Sequence, residues 1–270
     1  MNPSFTVVVT VYNLGSYLED CLSSIKLASN GYNVEVIVVD DGSSDMNTLK
    51  VLEITQASYS TFKYLSKKNG GPASARNYGV KYSSGEFIVP FDADNIMRPC
   101  FFSSLSKSLN HNSGQYDVFH FKALFFGLKN LVWPDSDFCP QDISVENRVD
   151  ACTCIRRSAL LEVGGFDEIL IIKGFEDWEL WVRMLSSGKK FHFIDEILYD
   201  YRVREKSTLA ESWEKRNEAI SYIFNKPENR LMSVIRNLSL ANHDLKKPLS
   251  FNQILNLMIK RLNSKIFHGH

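Results

Sequence analysis

The chain has 270 residues, 44% hydrophobic and 23% charged, a composition that can bury a sizeable core and excludes a disordered tail. Lys plus Arg and Asp plus Glu balance at 31 each, so no global field favours nucleic acid or a strongly anionic partner. The five cysteines, Cys21, Cys100, Cys139, Cys152 and Cys154, are odd in number and scattered, which suits reduced thiols better than a disulfide framework, and Cys152-x-Cys154 lacks zinc-knuckle spacing.

Met1-Asn2-Pro3 leads directly into a strand pattern, with no basic and apolar leader, so no signal peptide is expected. No run approaches the ~20 apolar residues that span a bilayer. The expectation is a soluble, cytoplasmic protein. "FTVVVTV" (5–11) is a β-branched and aromatic strand, and the segment after it places Leu18, Leu22 and Ile25 at helical spacing. "VEVIVVD" (34–40) is a second strand, followed by a helix that Asp45 can cap and that carries Leu49, Leu52 and Ile54. "FKYLS" (62–66) is a third, and Pro72 opens the next helix, with Gly85 beyond its end. "EFIVPF" is the fourth.

Apolar strands alternating with helices indicate an α/β fold with a mostly parallel central sheet covered on both faces. Ligands in such sheets bind beyond the carboxyl ends of the strands, where this chain places "TVYN" (10–13), "DDGSSD" (40–45) and "DADN" (92–95). Farther on come a strand in "YDVFHFKALFF", a loop through "WPDSDFCPQD", a helix from about Arg157, a helix in "GFEDWELWVRML", and two strands in "KFHFI" and "ILYDYRV". Residues 209–270 are helical and separate in character from 1–208.

Asp92-Ala93-Asp94 admits two readings: a capped turn, or a site for a hard divalent cation that shares its oxygen ligands with substrate phosphates. The chain has neither G-x-G-x-x-G after its first strand nor G-x-x-x-x-G-K-[ST], so dehydrogenase-type dinucleotide binding and P-loop hydrolysis lack support. "NGGPASAR" offers a glycine bend into a helix amino terminus, a setting that favours anions. Arg76 there serves either a phosphate or a structural tie to the acidic loop.

Five blocks, "VVVTVYNLGSYLEDCLSSI", "VIVVDDGSSD", "NGGPASARNYGVKYSSGEFIVPFDADN", "VGGFDE" and "GFEDWELWVRM", resemble in their order the family 2 glycosyltransferases of GT-A fold, over about residues 4–208. The resemblance implies a GT-A domain (1–208) with a helical carboxyl-terminal extension (209–270). It implies an inverting, metal-dependent transferase of hexosyltransferase type. The donor would be a nucleoside diphosphate sugar, uridine-based, and the acceptor a hydroxyl of a glycan or glycolipid in polysaccharide or glycoconjugate synthesis. It assigns Thr10, Tyr12, Asp41, Arg76 and Asp92 to the donor nucleotide, with the Asp41 carboxylate accepting from the base, as an ionised acid can. Asp94, with Asp92, would hold Mn2+ or Mg2+.

By the same resemblance Asp177 is the base, while Glu176 and Trp178 flank the acceptor; for Trp178 and Trp181 the competing reading is core packing. Two departures stand out. Asn95 replaces the usual acid after Asp94, and "YRVREKS" lacks the family's histidine. A guanidinium pairs with phosphate but cannot ligate a metal, so Arg202, Arg204 or Lys206 is expected to neutralise the diphosphate from a lid loop. "SFNQILNLMIKRLNSKIF" is amphipathic and has three uses: packing on its own domain, self-association, or peripheral contact with an anionic membrane surface. The rival functions are a sugar nucleotidyltransferase, whose glycine-rich basic loop is missing after the first strand, and a catalytically silent binding protein.

Overall fold

The structure is a computed structural model that describes residues 3–112, 114–168, 174–205 and 212–243. Its first half alternates β1 (Ser4–Val11), α1 (Gly15–Ala28), β2 (Asn33–Asp40), α2 (Met46–Ser58), β3 (Lys63–Ser66), α3 (Pro72–Lys81) and β4 (Phe87–Asp92). The β-branched runs make the strands. β3, β2, β1 and β4 lie side by side, all parallel, in that order. Side chains alternate faces along a strand, so Val7, Val9 and Val11 join α1 (Leu18, Leu22, Ile25) in one core, while Val8 faces α3 (Ala75, Val80) in the other.

Gly79 makes the second contact possible, because a Cβ there would overlap a Val8 methyl. In α2 the expected apolar face is displaced: Leu49 is 39% and Ile54 50% exposed, and Thr48 and Thr55 are the buried residues. The Asp45 cap is present, its carboxylate accepting from the Thr48 N–H at 2.8 Å.

The sheet then becomes mixed, β9 running parallel to β6 and the other new pairings antiparallel. β5 (Ile96–Met97) follows the Asp92–Asn95 turn, and α4 (Phe101–His111) packs on the β1-side core. β6 (Val118–Gly127), β7 (Leu131–Trp133), β8 (Cys154–Arg156) and β9 (Phe191–Val203) complete the order β3-β2-β1-β4-β8-β6-β9-β5, with β7 on β6. The loop expected after Trp133 contains a short helix, α5 (Pro140–Val145). The two strands expected near 191–203 are one. β9 runs unbroken beside β6, with the register shifting around Lys122 where Asp195 and Glu196 bulge outward; that polar pair mimics a strand break.

α6 (Arg157–Glu162), α7 (Glu176–Ser186), α8 (Arg216–Asn225) and α9 (Arg230–His243) share the second core, where Ile223, Phe224, Met232 and Ile235 meet Ile143, Trp178 and Trp181. The amphipathic segment 250–267 and Lys206 lie outside the described residues. All five cysteines are unbridged. Among the described residues no helix is long and apolar enough to cross a membrane.

Candidate active site

The carboxyl ends of β1, β2 and β4 converge. Asp92 closes β4 opposite Thr10 of β1, whose hydroxyl donates to Asp92 Oδ1 at 3.2 Å. A tight turn, with the Asn95 N–H on the Asp92 carbonyl at 3.1 Å, presents Asp94 next to it. Asp94 is 7% exposed; burial and the Asp92 charge raise its pKa, opposed by Arg204.

Arg76 of α3 is buried, and it joins the strand end to the start of α7: one nitrogen donates to Asp92 Oδ1 at 3.0 Å and another to Glu176 Oε1 at 2.8 Å, with the guanidinium over the Phe166 ring. Burial opposes its charge, but Asp92, Glu176 and Asp177 raise its pKa. Of the two roles expected for Arg76, the structural tie is the one on view.

The first turn of α7 carries Glu176, Asp177 and Glu179, acids that complement the helix dipole. Glu176 also accepts from the Gly174 N–H at 2.7 Å. Asp177 accepts from its neighbour's Trp178 N–H at 2.7 Å and from the Asn147 side-chain amide at 2.9 Å. Burial, Glu176 and Asp150 push its carboxyl up to about 8, against the pull of Arg76. Asp150 is itself pushed up to about 6 by burial and by Asp92. Asp92, Asp94, Asp150, Glu176 and Asp177 thus form a crowded acidic pocket in which a buried arginine offsets part of the charge.

Asp41 lies deeper than a simple base acceptor. Its carboxylate takes Lys67 Nζ at 2.8 Å, the Asn69 amide at 3.1 Å, and the N–H groups of Gly70 and Gly71 at 3.0 and 2.7 Å. It thereby ties β2 to the glycine bend before α3, where Gly71 has φ +87°. Tyr12 is 47% exposed beside it. Asn13, at φ 52°, accepts from the Ser44 and Asp45 N–H groups through its side chain and fixes the two strand-end loops together.

At the end of β9, Arg202 donates its backbone N–H to Asn95 Oδ1 at 3.1 Å and its Nε to the Asp94 carbonyl at 3.0 Å. Its guanidinium lies between the rings of Tyr17 and Phe126, 4.7 and 4.5 Å from their centroids. Arg204 donates Nε to Asp94 Oδ2 at 2.7 Å. Both arginines therefore bond to the acidic turn itself, whereas the sequence led us to expect the segment on the diphosphate. Asn95 is buried and serves as a structural acceptor where an acid was the usual residue.

Trp178 corrects the acceptor assignment. It is 1% exposed, its indole N–H donates to the Ile143 carbonyl at 2.7 Å and its ring packs edge-on against Phe224, so neither face is open to a sugar. Trp181 is likewise core. Sequence reasoning missed Asn147 and Asp150, which come from irregular chain between α5 and β8, and Tyr17, whose role needs β9 folded over α1. No local pattern marks any of them; only "NGG" hinted at Asn69 as part of the Asp41 loop.

Carboxylate oxygens at Asp92 and Asp94 are suitable donors for Mg2+ or Mn2+, which take one or two protein acids and fill the shell with phosphates and water. Among the described residues no group of three or more His, Cys, Asp or Glu side chains encloses an ion site. The Asp92/Asp94 pair fits the shared type, because burial and the Asp92 charge make ionisation of Asp94 costlier and a cation would relieve that cost.

The glycosyl transferase family 2 profile matches residues 6–163, and a related family 2 profile matches 141–222. The chain belongs to glycosyl transferase family 2. It is 30% identical over 259 residues to the minor teichoic acid biosynthesis protein GgaB of Bacillus subtilis, covering 92% of this chain but 28% of GgaB. To glycosyltransferase GlyG of Streptococcus pneumoniae it is 27% identical, over 77% of this chain and 74% of GlyG. The fold matches the crystal structure of S. aureus TarS 1–349 in complex with UDP, with TM-score 0.67 and 21% identity over 91% of this chain and 76% of that one. It also matches the mannosyltransferase PcManGT from Pyrobaculum calidifontis in complex with GDP-Man and Mn2+, with TM-score 0.58 and 16% identity over 99% and 82%. These likenesses establish the α/β GT-A fold of this family 2 glycosyltransferase, with its parallel half where the sequence placed it.

Proposed function

We propose that this family 2 glycosyltransferase is an inverting enzyme that moves a sugar from a uridine diphosphate sugar to a hydroxyl of a glycan or glycolipid acceptor. The observation that carries the reading is Asp177: a half-buried carboxylate with a raised pKa, beside Glu176, which Arg76 links to the strand-end acid Asp92. A general base works best with a pKa near the operating pH. Similarity to GgaB, a teichoic acid biosynthesis protein, and a fold shared with TarS bound to UDP-GlcNAc support a polymer acceptor and a uridine donor.

In this reading the donor base and ribose lie against Tyr12, Thr10 and Asp92, at the mouth that Asp41 shapes by holding the 67–71 bend. Asp41 meets the base directly only when one of its present donors gives way. Asp94, with Asp92, would hold Mn2+ or Mg2+, which would supply positive charge to the departing diphosphate. Arg202 stays in its aromatic bracket and Arg204 pairs with the diphosphate. Asp177 takes the acceptor hydroxyl's proton as that oxygen bonds to the anomeric carbon and the bond to the β-phosphate oxygen breaks. Attack opposite the leaving group inverts the carbon. The Asn147 amide and the Trp178 N–H hold Asp177 in place.

Thermal stability measured with UDP, dTDP, GDP, CDP and ADP, each with and without Mn2+, tests the donor assignment, because a ligand that binds only the native state stabilises it. A Mn2+-dependent rise with UDP alone is expected and should vanish in Asp94→Ala. A flat response to every nucleotide would favour a catalytically silent protein.

A further inference from the structure

Two arginines neutralise the strand-end acids, and they differ in how far they reach solvent. Arg76 is 4% exposed, bonded on both sides to Asp92 and Glu176 and covered by Phe166. It cannot leave without opening the core. Arg204 has 25% of its side chain exposed and stands one residue past the end of β9, on the Asp94 carboxylate and at the Tyr17 ring, 5.7 Å from its centroid. Arg202, on the same side of the chain by strand periodicity, is fixed by Asn95, Tyr17 and Phe126. The backbone is anchored up to the end of β9, where Val203 pairs with Gly127, and Arg204 follows directly.

Asp94 is the acid that would hold a divalent cation, and a guanidinium already holds its Oδ2 at 2.7 Å. Two cations on one largely buried carboxylate repel each other in a medium that screens weakly. A diphosphate, by contrast, offers the guanidinium a forked, doubly charged acceptor.

We propose that Arg204 is a built-in counter-ion of Asp94 that the donor's diphosphate draws off, so that metal and nucleoside diphosphate bind together and each poorly alone. The inference rests on the assignment of Asp94 to the metal. Arg204 changes partner from carboxylate to phosphate, and Asp94 passes from arginine to cation. Charge in the pocket is thereby kept in balance before and after the donor enters. Because coupling between two ligands is reciprocal, Arg204 sets both the metal dependence of nucleotide binding and the nucleotide dependence of metal binding.

The test is a Mn2+ titration of the full chain, following free Mn2+ by electron paramagnetic resonance, for wild type, Arg204→Lys, Arg204→Ala and Asp94→Ala, without and with UDP. At about 0.15 M salt, long-range field effects of one surface charge are largely screened. Without UDP, Arg204→Ala should bind Mn2+ about tenfold tighter than wild type, equivalent to ~1.4 kcal/mol, and Arg204→Lys should stay near wild type. The factor by which UDP tightens Mn2+ should shrink by a similar amount in Arg204→Ala. Equal Mn2+ affinity for wild type and Arg204→Ala without UDP would overturn the counter-ion role, while UDP-dependent Mn2+ binding lost only in Asp94→Ala would leave the metal assignment standing. Mn2+ binding that Asp94→Ala does not weaken would remove both.

Discussion

Asp177 is a carboxylate whose surroundings resist its ionisation, and two consequences follow at the scale of the single residue. Asn147 and the Trp178 N–H each donate to Asp177, and an amide of the same shape keeps one acceptor oxygen for them while removing the strained charge, so Asp177→Asn is expected to fold, to keep UDP binding, and to lose transfer by about 10²-fold or more. Radiolabelled transfer and a nucleotide-binding isotherm on one preparation check both halves; full transfer in this variant would remove Asp177 as the base. The second consequence concerns pH. Only the ionised base accepts a proton, so kcat/KM should rise with pH towards a plateau above about 8, the value to which burial, Glu176 and Asp150 push this carboxyl. For stability the sign is opposite. An acid whose folded pKa exceeds its unfolded one keeps its proton on folding, so it costs stability as pH rises from about 4 through about 8. The wild type should therefore lose more Tm than Asp177→Asn between about pH 5 and about pH 9, and identical pH profiles for the two would show that Asp177 is not the strained group. Of this residue's setting, the sequence exposed the Glu-Asp pair at a helix start; it concealed Asn147 and Asp150, because their proximity depends on how irregular chain between α5 and β8 folds back on α7.

At the scale of elements, strands with continuous β-branched runs were legible, since burial on both faces requires them apolar throughout. Short pieces were not: β5 and β8 have two and three residues, too few for any period to show, and their pairing comes from the turn at Asp92–Asn95 and from β6 alongside. β9 was read as two strands because Asp195 and Glu196 interrupt its apolar pattern, yet Lys122 pairs with Asp195 and Ser104 donates to Glu196 at 2.6 Å, so the bulge is held rather than broken. α7 illustrates the same limit from the other side. Its face toward the carboxyl-terminal helices is charged: Glu179, with no exposed surface, receives Arg183 at 2.7 Å and Lys226 at 2.6 Å, and Lys226 also reaches Asp167 at 2.7 Å. Removing one member of a buried network leaves the others unpaired, at a cost of about 3–5 kcal/mol. Glu179→Gln should accordingly lower the denaturation midpoint by that order without altering the denaturant slope, and a loss below about 1 kcal/mol would mean that water already reaches these charges.

For the whole molecule, the parallel half and its ligand-bearing edge could be placed from sequence, whereas the docking of the last helices could not, because residues 209–270 carry no motif that names their partner. α8 and α9 bury Ala219, Ile223, Met232 and Ile235 against α5 and α7, and the same α7 carries Glu176 and Asp177. Two truncations separate what these segments do. A chain lacking 248–270 retains α8 and α9; if segment 250–267 lies on membranes, this chain should release from vesicles containing anionic lipid, and unchanged vesicle binding would dismiss that use. A chain ending at 208 exposes Ile143 and the Trp178 edge and deprives Glu179 of Lys226. Each buried aliphatic lost is worth roughly 1.5–3 kcal/mol before the ordering cost of the removed residues is returned, against a total stability on the order of 5–15 kcal/mol. That chain is expected to melt at lower temperature with a broadened transition, and to lose UDP-dependent stabilisation as α7 loosens around Arg76. An unchanged Tm and nucleotide response would instead establish 1–208 as a transfer unit that folds alone, with the helices as an appendage free to serve another partner.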